Sequence, residues 1–242
     1  MRLLLIGAPG AGKGTQAERL AERFSITHIS SGDLLRQHVK DRTSIGQTIK
    51  AYLDAGDLVP DSVVLDMLRK PVVTAAESGG YVLDGFPRTV EQAKAAFEVA
   101  SALGVAVQAA VHLDVPDEEL IRRLLARGRG TDDTEEVIAR RLRVYREKTV
   151  PLLEYYAGRE WMFAVDGTKL PDEVHEDIVD RLRKLVAFSL LTYGPPRAGA
   201  REGRPPRRHS TALPRPAGRL LRGIRTAGRS RPVPLPWPAH RA

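Results

Sequence analysis

The 242-residue chain contains no cysteine. That excludes a disulfide framework, a thiolate metal site and a cysteine nucleophile. It also lacks a run long enough to cross a bilayer. The longest charge-free stretches, Val99–Leu113 and Leu185–Pro196, fall short of the roughly 18–20 apolar residues a span needs, and Ser, Gly, Gln or Pro interrupts them. Near the N-terminus only the apolar residues Leu3–Ile6 separate Arg2 from a glycine loop, too few for a signal peptide's apolar segment. With cysteine absent, a cytoplasmic protein without membrane association is expected. No internal repeat is visible.

Acidic residues are scarce in one place. Pro195–Ala242 holds 12 Arg, no Lys and one acid, Glu202, a net +11, while the other 194 residues hold 26 basic and 29 acidic residues, a net −3. The overall +8 therefore describes an appendage and not the main domain. The same appendage carries 10 of the 17 prolines. Its few large apolar groups offset too little ordering entropy, so residues 191–242 are expected to be a disordered Arg/Pro-rich tail. With 42% hydrophobic residues, the remainder can build one or two cores.

Along residues 1–190 apolar runs alternate with helical periodicity. Arg2–Gly7 reads as a strand, Gly7–Gly14 as a loop and Thr15–Phe24 as a helix. Ser30-Ser31-Gly32-Asp33 supplies N-cap residues for a helix from about Leu34. Gly46–Ala55 reads as a helix ended by Gly56, and Pro60-Asp61 opens another through about Arg69. Tyr81–Asp84, Val105–Val115 and Trp161–Val165 read as strands. Val90–Leu103, Asp117–Arg127, Asp133–Tyr156 and Glu173–Val186 read as helices. The alternation predicts an α/β fold with a parallel sheet covered on both faces.

Gly7-Ala-Pro-Gly10-Ala11-Gly12-Lys13-Gly14-Thr15 lies between strand and helix, the context of a phosphate-binding P-loop. Glycines let successive N–H groups curve round a polyphosphate, the helix N-terminus adds positive potential, and Lys13 adds a point charge. Gly14 stands where Ser or Thr usually holds magnesium, so a carboxylate elsewhere is expected to help hold the ion. Asp84, before Gly85, reads equally as that carboxylate, acting through water, or as a strand-end turn residue.

The order and wording of these motifs resemble the adenylate kinases, of the nucleoside monophosphate kinase family. The resemblance rests on Gly7–Gln16, Ser30–Arg36, Asp54–Pro60, Leu83–Thr89, Asp114–Pro116 and Val165–Thr168, and covers roughly residues 1–186. It implies a P-loop three-layer α/β/α fold with an inserted helical AMP-binding region at 30–59 and a short lid at 127–133. It implies reversible phosphoryl transfer from Mg-ATP to AMP, giving two ADP, by a monomer. On this resemblance Gly10, Ala11, Gly12, Lys13, Gly14, Thr15, Arg123, Arg127 and Lys169 would hold ATP. Ser31, Arg36, Asp57, Leu58, Val59, Gly85, Phe86, Pro87, Arg88, Gln92, Arg129 and Arg141 would bind AMP. Lys13, Arg88, Arg127 and Arg141 would neutralise the transferring phosphate. Without the resemblance, Gln92 reads as a solvated helix residue and the Arg122-Arg123-Arg127 face as solvent-exposed charge.

Only Gly128–Asp133 separates the two helices where longer relatives insert a β subdomain; Arg129 could be the usual lid arginine, but aligning from Asp132-Asp133 places Gly130 nearest that position. A short lid without cysteine implies no structural zinc. Two rival readings remain: a kinase for UMP or CMP, disfavoured by Ser31 and Gln92, and a tail that binds nucleic acid. Twelve arginines with one aromatic, Trp237, imply nonspecific binding at most.

Overall fold

The computed structural model describes residues 1–128, 134–158 and 161–193. Arg129, most of the expected lid and the tail from residue 194 onward lie outside the described residues.

Five strands form one parallel sheet: β1 (Arg2–Gly7), β2 (Thr27–Ser30), β3 (Tyr81–Asp84), β4 (Ala109–Asp114) and β5 (Trp161–Asp166), in the order β2-β3-β1-β4-β5. The helices are α1 (Lys13–Phe24), α2 (Ser31–Lys40), α3 (Ser44–Ala55), α4 (Asp61–Glu77), α5 (Val90–Ala102), α6 (Asp117–Arg127), α7 (Glu135–Val144), α8 (Pro151–Ala157) and α9 (Pro171–Tyr193). Alternating side chains of β1 feed two cores. Leu3 and Leu5 pack with Leu20 of α1, Leu120 of α6 and Ile178 of α9, while Leu4 and Ile6 pack with Leu35 of α2, Ile49 of α3 and Leu152 of α8. The parallel sheet is thus covered on both faces, the three-layer α/β/α arrangement expected. Among the described residues no helix is long and apolar enough to cross a membrane.

Several boundaries differ from the sequence reading, each for a local reason. β2 was not legible as a strand because it is four residues long, is polar and buries only Ile29. It forms because it pairs with β3, Thr27 opposite Tyr81 and Ser30 opposite Asp84. The helix entered at Pro60-Asp61 runs through Pro71 to Glu77, since Leu68 and Ala75 continue its buried face past the proline. The apolar run at Val105–Val115 is strand only from Ala109, because Gly104 takes a left-handed conformation and Val105 N–H closes back on Ala100 O. The helix expected over Asp133–Tyr156 is two, α7 and α8, joined by a single π turn, Tyr145–Thr149. α9 extends at both ends of Glu173–Val186, starting at Pro171 and reaching Tyr193.

Candidate active site

The carboxyl ends of β1 and β3 lie side by side, Leu5 opposite Asp84, where the strand order reverses around β1. That is the place where an open parallel sheet leaves a crevice. The loop after β1 holds Gly10 and Gly12 at φ of 85° and 91°, in the left-handed region that favours glycine. Gly12 is also the N-cap of α1 and brings no capping side chain, which leaves the positive end of the helix to an anion from outside. Lys13 Nζ donates to Gly7 O and Ala8 O, each at 3.0 Å, so the ammonium is already turned back into the loop. Burial lowers its pKa below the ordinary lysine value. Asp84 opposes that shift, and Arg88 and Arg127 add to it.

Asp84 has a buried Oδ1 with no hydrogen-bond partner in the structure. Its Oδ2 lies 3.9 Å from where a β-carbon on Gly14 would stand, so the carboxylate faces the loop across the very residue that lacks the usual hydroxyl. An unsatisfied buried carboxylate oxygen beside a polyphosphate loop fits a hydrated divalent cation.

Ser30 caps α2 by accepting from Asp33 N–H. The next residue, Ser31, is 1% exposed, and its Oγ has no partner. Arg36 pairs with Asp33 at 2.5 Å. Asp57, Leu58 and Val59 form the segment between α3 and α4, where Asp57 takes a two-pronged ion pair from Arg140 of α7 at 2.7 and 2.5 Å. Gly85, Phe86, Pro87 and Arg88 follow β3, with a cis peptide bond between Phe86 and Pro87. Arg88 Nε donates to Gly85 O at 2.7 Å, its N–H to Gln92 Oε1 at 2.7 Å, and its carbonyl accepts from Thr149 Oγ1 at 2.8 Å. Burial lowers the Arg88 pKa, Asp84 works against that, and Arg141 and Arg36 reinforce it. The positive charges of Arg141 and Arg36 both bear on the Arg88 guanidinium, an arrangement a phosphate would relieve.

On α6, Arg122 and Arg123 share Glu119, with contacts of 2.7 and 2.6 Å, and these bonds hold the Glu119 carboxyl down at about 2. Arg127 ends the same helix, exposed, and Arg141 comes from α7. Lys169 is engaged by Asp177 at 2.7 Å.

One cleft of about 760 Å³ joins these parts. Every residue singled out above for ATP, AMP or metal lines it, except Arg129, which lies outside the described residues. Gln92 is buried, at 2% exposure, contrary to the reading of a solvated helix residue. Sequence reasoning assigned no part to Gln16, which also lines the cleft. Its Nε2 donates to Pro171 O at 2.8 Å and its buried Oε1 has no partner. Thr149 was also missed. The only available signal was its place two residues before Pro151, which lacks the N–H a continuing helix would use.

Comparison with known proteins agrees with this geometry. A family model described as Adenylate kinase matches residues 5–161. The chain is similar to a protein named Adenylate kinase from Leptospira biflexa serovar Patoc, 47% identical over 182 residues, which are 74% of this chain and 97% of the relative. A protein named Adenylate kinase from Mycobacteroides abscessus is 48% identical over 174 residues, 72% of this chain and 94% of its own length. Adenylate kinase 1 of a Nostoc species is 45% identical over 177 residues, 73% of this chain and 96% of its own. With a family model matched over more than half of the chain and relatives 45–48% identical over nearly their whole length, the chain belongs to the adenylate kinase family.

Proposed function

We propose that the protein transfers the terminal phosphoryl group of Mg-ATP to AMP, reversibly, giving two ADP, and so balances the adenine nucleotides. The observation that carries this reading is the pairing, in one cleft, of the Lys13 loop with the Arg36, Arg88 and Arg141 cluster, Asp84 lying between them in the electrostatics of both. A cleft with one such cluster suits an ATPase. Two suit a phosphoryl donor and a phosphorylated acceptor.

Lys13 and the first turn of α1 would grip the donor's terminal phosphates, with Gly10, Ala11, Gly12, Gly14 and Thr15 shaping the loop and Arg123 and Lys169 flanking the nucleotide. Ser31, Arg36, residues 57–59, residues 85–88 and Gln92 would hold the acceptor. An oxygen of the AMP phosphate forms the new bond to the γ-phosphorus as the bond to the β–γ bridging oxygen breaks, leaving the electron pair on ADP. The attacking oxygen is already anionic, so no general base is needed. Arg88, Arg127 and Arg141 would spread their charge over the transferring group. Asp84 would hold the hydrated magnesium ion, which supplies charge neutralisation to the donor phosphates when bound. By the family resemblance the protein would act as a monomer.

The test is ADP formation from Mg-ATP with AMP, UMP, CMP or no acceptor. AMP-dependent turnover is expected, and Lys13→Ala is expected to lower it about 100- to 1,000-fold while leaving the far-ultraviolet circular dichroism unchanged. Arg88→Ala is expected to raise KM for AMP much more than KM for ATP. Turnover without an acceptor, or a preference for UMP or CMP, would leave only the ATP half of the reading.

A further inference from the structure

Gln92 is held at both ends of its amide. Its backbone is placed by the Thr89 cap of α5, whose Oγ1 accepts from Gln92 N–H at 3.1 Å. Its Oε1 accepts from Arg88 N–H at 2.7 Å, and its Nε2 donates to Oδ1 of Asp61, in the first turn of α4, at 2.7 Å. A backbone N–H can only donate and a carboxylate can only accept. These two partners therefore permit one orientation of the amide, which an isolated glutamine would leave free.

A primary amide has two acceptor lone pairs and two N–H donors. One of each is taken, which leaves one acceptor and one donor on a buried side chain that lines the cleft. This remainder is complementary to a purine edge whose 6-amino group donates and whose N1 accepts. It is mismatched to a 6-oxo purine, where the oxygen accepts and N1–H donates. To suit the 6-oxo edge the amide must turn over, and that would set its NH2 against Arg88 N–H and its oxygen against the Asp61 carboxylate. Both contacts would repel.

We propose that Asp61 is the specificity-determining positioning residue of the acceptor site: through its hydrogen bond it locks the Gln92 amide in the orientation that accepts a 6-aminopurine and refuses a 6-oxopurine. This rests on the reading that the cleft takes AMP. Asp61 is exposed and stands outside the cleft lining, so it acts on the nucleotide only through Gln92. The sequence offers no hint of this, since the two residues are 31 positions apart and meet only when α4 and α5 pack beside β3.

The experiment compares AMP and IMP as acceptors, by initial rates of ADP formation from Mg-ATP, in the wild type, Asp61→Ala and Asp61→Asn. In Asp61→Ala, kcat/KM for AMP is expected to fall about tenfold, mostly through KM, and the ratio of AMP to IMP efficiency about tenfold, with KM for ATP unchanged. Asp61→Asn keeps a partner for Gln92 but can also turn its own amide and donate to a flipped Gln92 Oε1, so KM for AMP is expected to recover toward the wild type while the ratio stays low. A purely structural part for Asp61 at the start of α4 would lower the melting temperature and leave the ratio alone. Should Asp61→Ala melt below the assay temperature, Asp61→Ser carries the same ratio test. An unchanged ratio in the folded Ala or Ser variant, or a wild-type ratio in Asp61→Asn, overturns the assignment. A wild type that makes no AMP-dependent ADP overturns instead the function proposed above, and the assignment with it.

Discussion

Mild acid is expected to act on this fold at His112 and His175. His112 lies on β4 with Nε2 3.1 Å from the Tyr145 hydroxyl. Burial pushes its pKa below the ordinary histidine value; Asp114 opposes this and Lys13 adds to it. In the unfolded chain the ring titrates near its ordinary value of about 6.5. Between the two pKa values the unfolded state binds more protons, so stability is full above about pH 6.5 and is lost as the pH falls below it. His175 on α9 is shifted in the same direction, first by burial, and adds to the effect. Glu119 and Asp166 are held low and act only at more acid pH. The melting temperature is expected to drop between pH 7 and pH 5.5, with His112 contributing no more than about 1.4 kcal/mol per pH unit. His112→Gln keeps a partner for Tyr145 and is expected to flatten the profile. An unchanged slope in that variant would remove His112 from the account. At this scale the sequence was legible in residue type but not in surroundings. Gln92 could be read as solvated or as base-recognising, and what separates the two is its burial between Arg88 and Asp61, contacts made across the fold.

α2 and α3 form a hairpin whose spacing depends on one absent side chain. Thr43 caps α3 by accepting from Gly46 N–H at 3.0 Å, and Gly46 then sits against the end of α2. A β-carbon there would lie 2.0 Å from His38 O and 2.4 Å from His38 C, both backbone atoms that no rotamer change can move. In an isolated helix Gly→Ala gains about 1 kcal/mol. Here overpacking is expected to outweigh that, so Gly46→Ala should destabilise the protein by about 1–3 kcal/mol in urea unfolding. It should also raise KM for AMP, because Ser31 and Arg36 ride on α2. A midpoint at or above that of the wild type would mean that the two helices part at little cost. The elements themselves were largely readable, because apolar periodicity and capping residues are local. What escaped was set by pairing and packing: β2 exists because β3 lies beside it, α4 passes Pro71 because its buried face continues, and the π turn at Tyr145–Thr149 brings the Thr149 hydroxyl to the Arg88 carbonyl.

For the molecule as a whole, the relatives reach 94–97% of their own length within 72–74% of this chain. Every cleft residue described lies before Val174 or is Val174 itself. A chain ended after Tyr193 is therefore expected to keep AMP-dependent turnover within about twofold of the full chain. A large loss of activity or of melting temperature would give residues 194–242 a part in the enzyme. The amino-acid sequence by itself determined the alternation of strands and helices, the P-loop and the order of the motifs, since these depend on neighbours along the chain. Only the tertiary structure decided which charges face each other. Lys13, the Asp84 and Arg88 pair, and Arg141 come from three separate stretches of sequence, and the parallel sheet brings them to one cleft because its strand order reverses at β1.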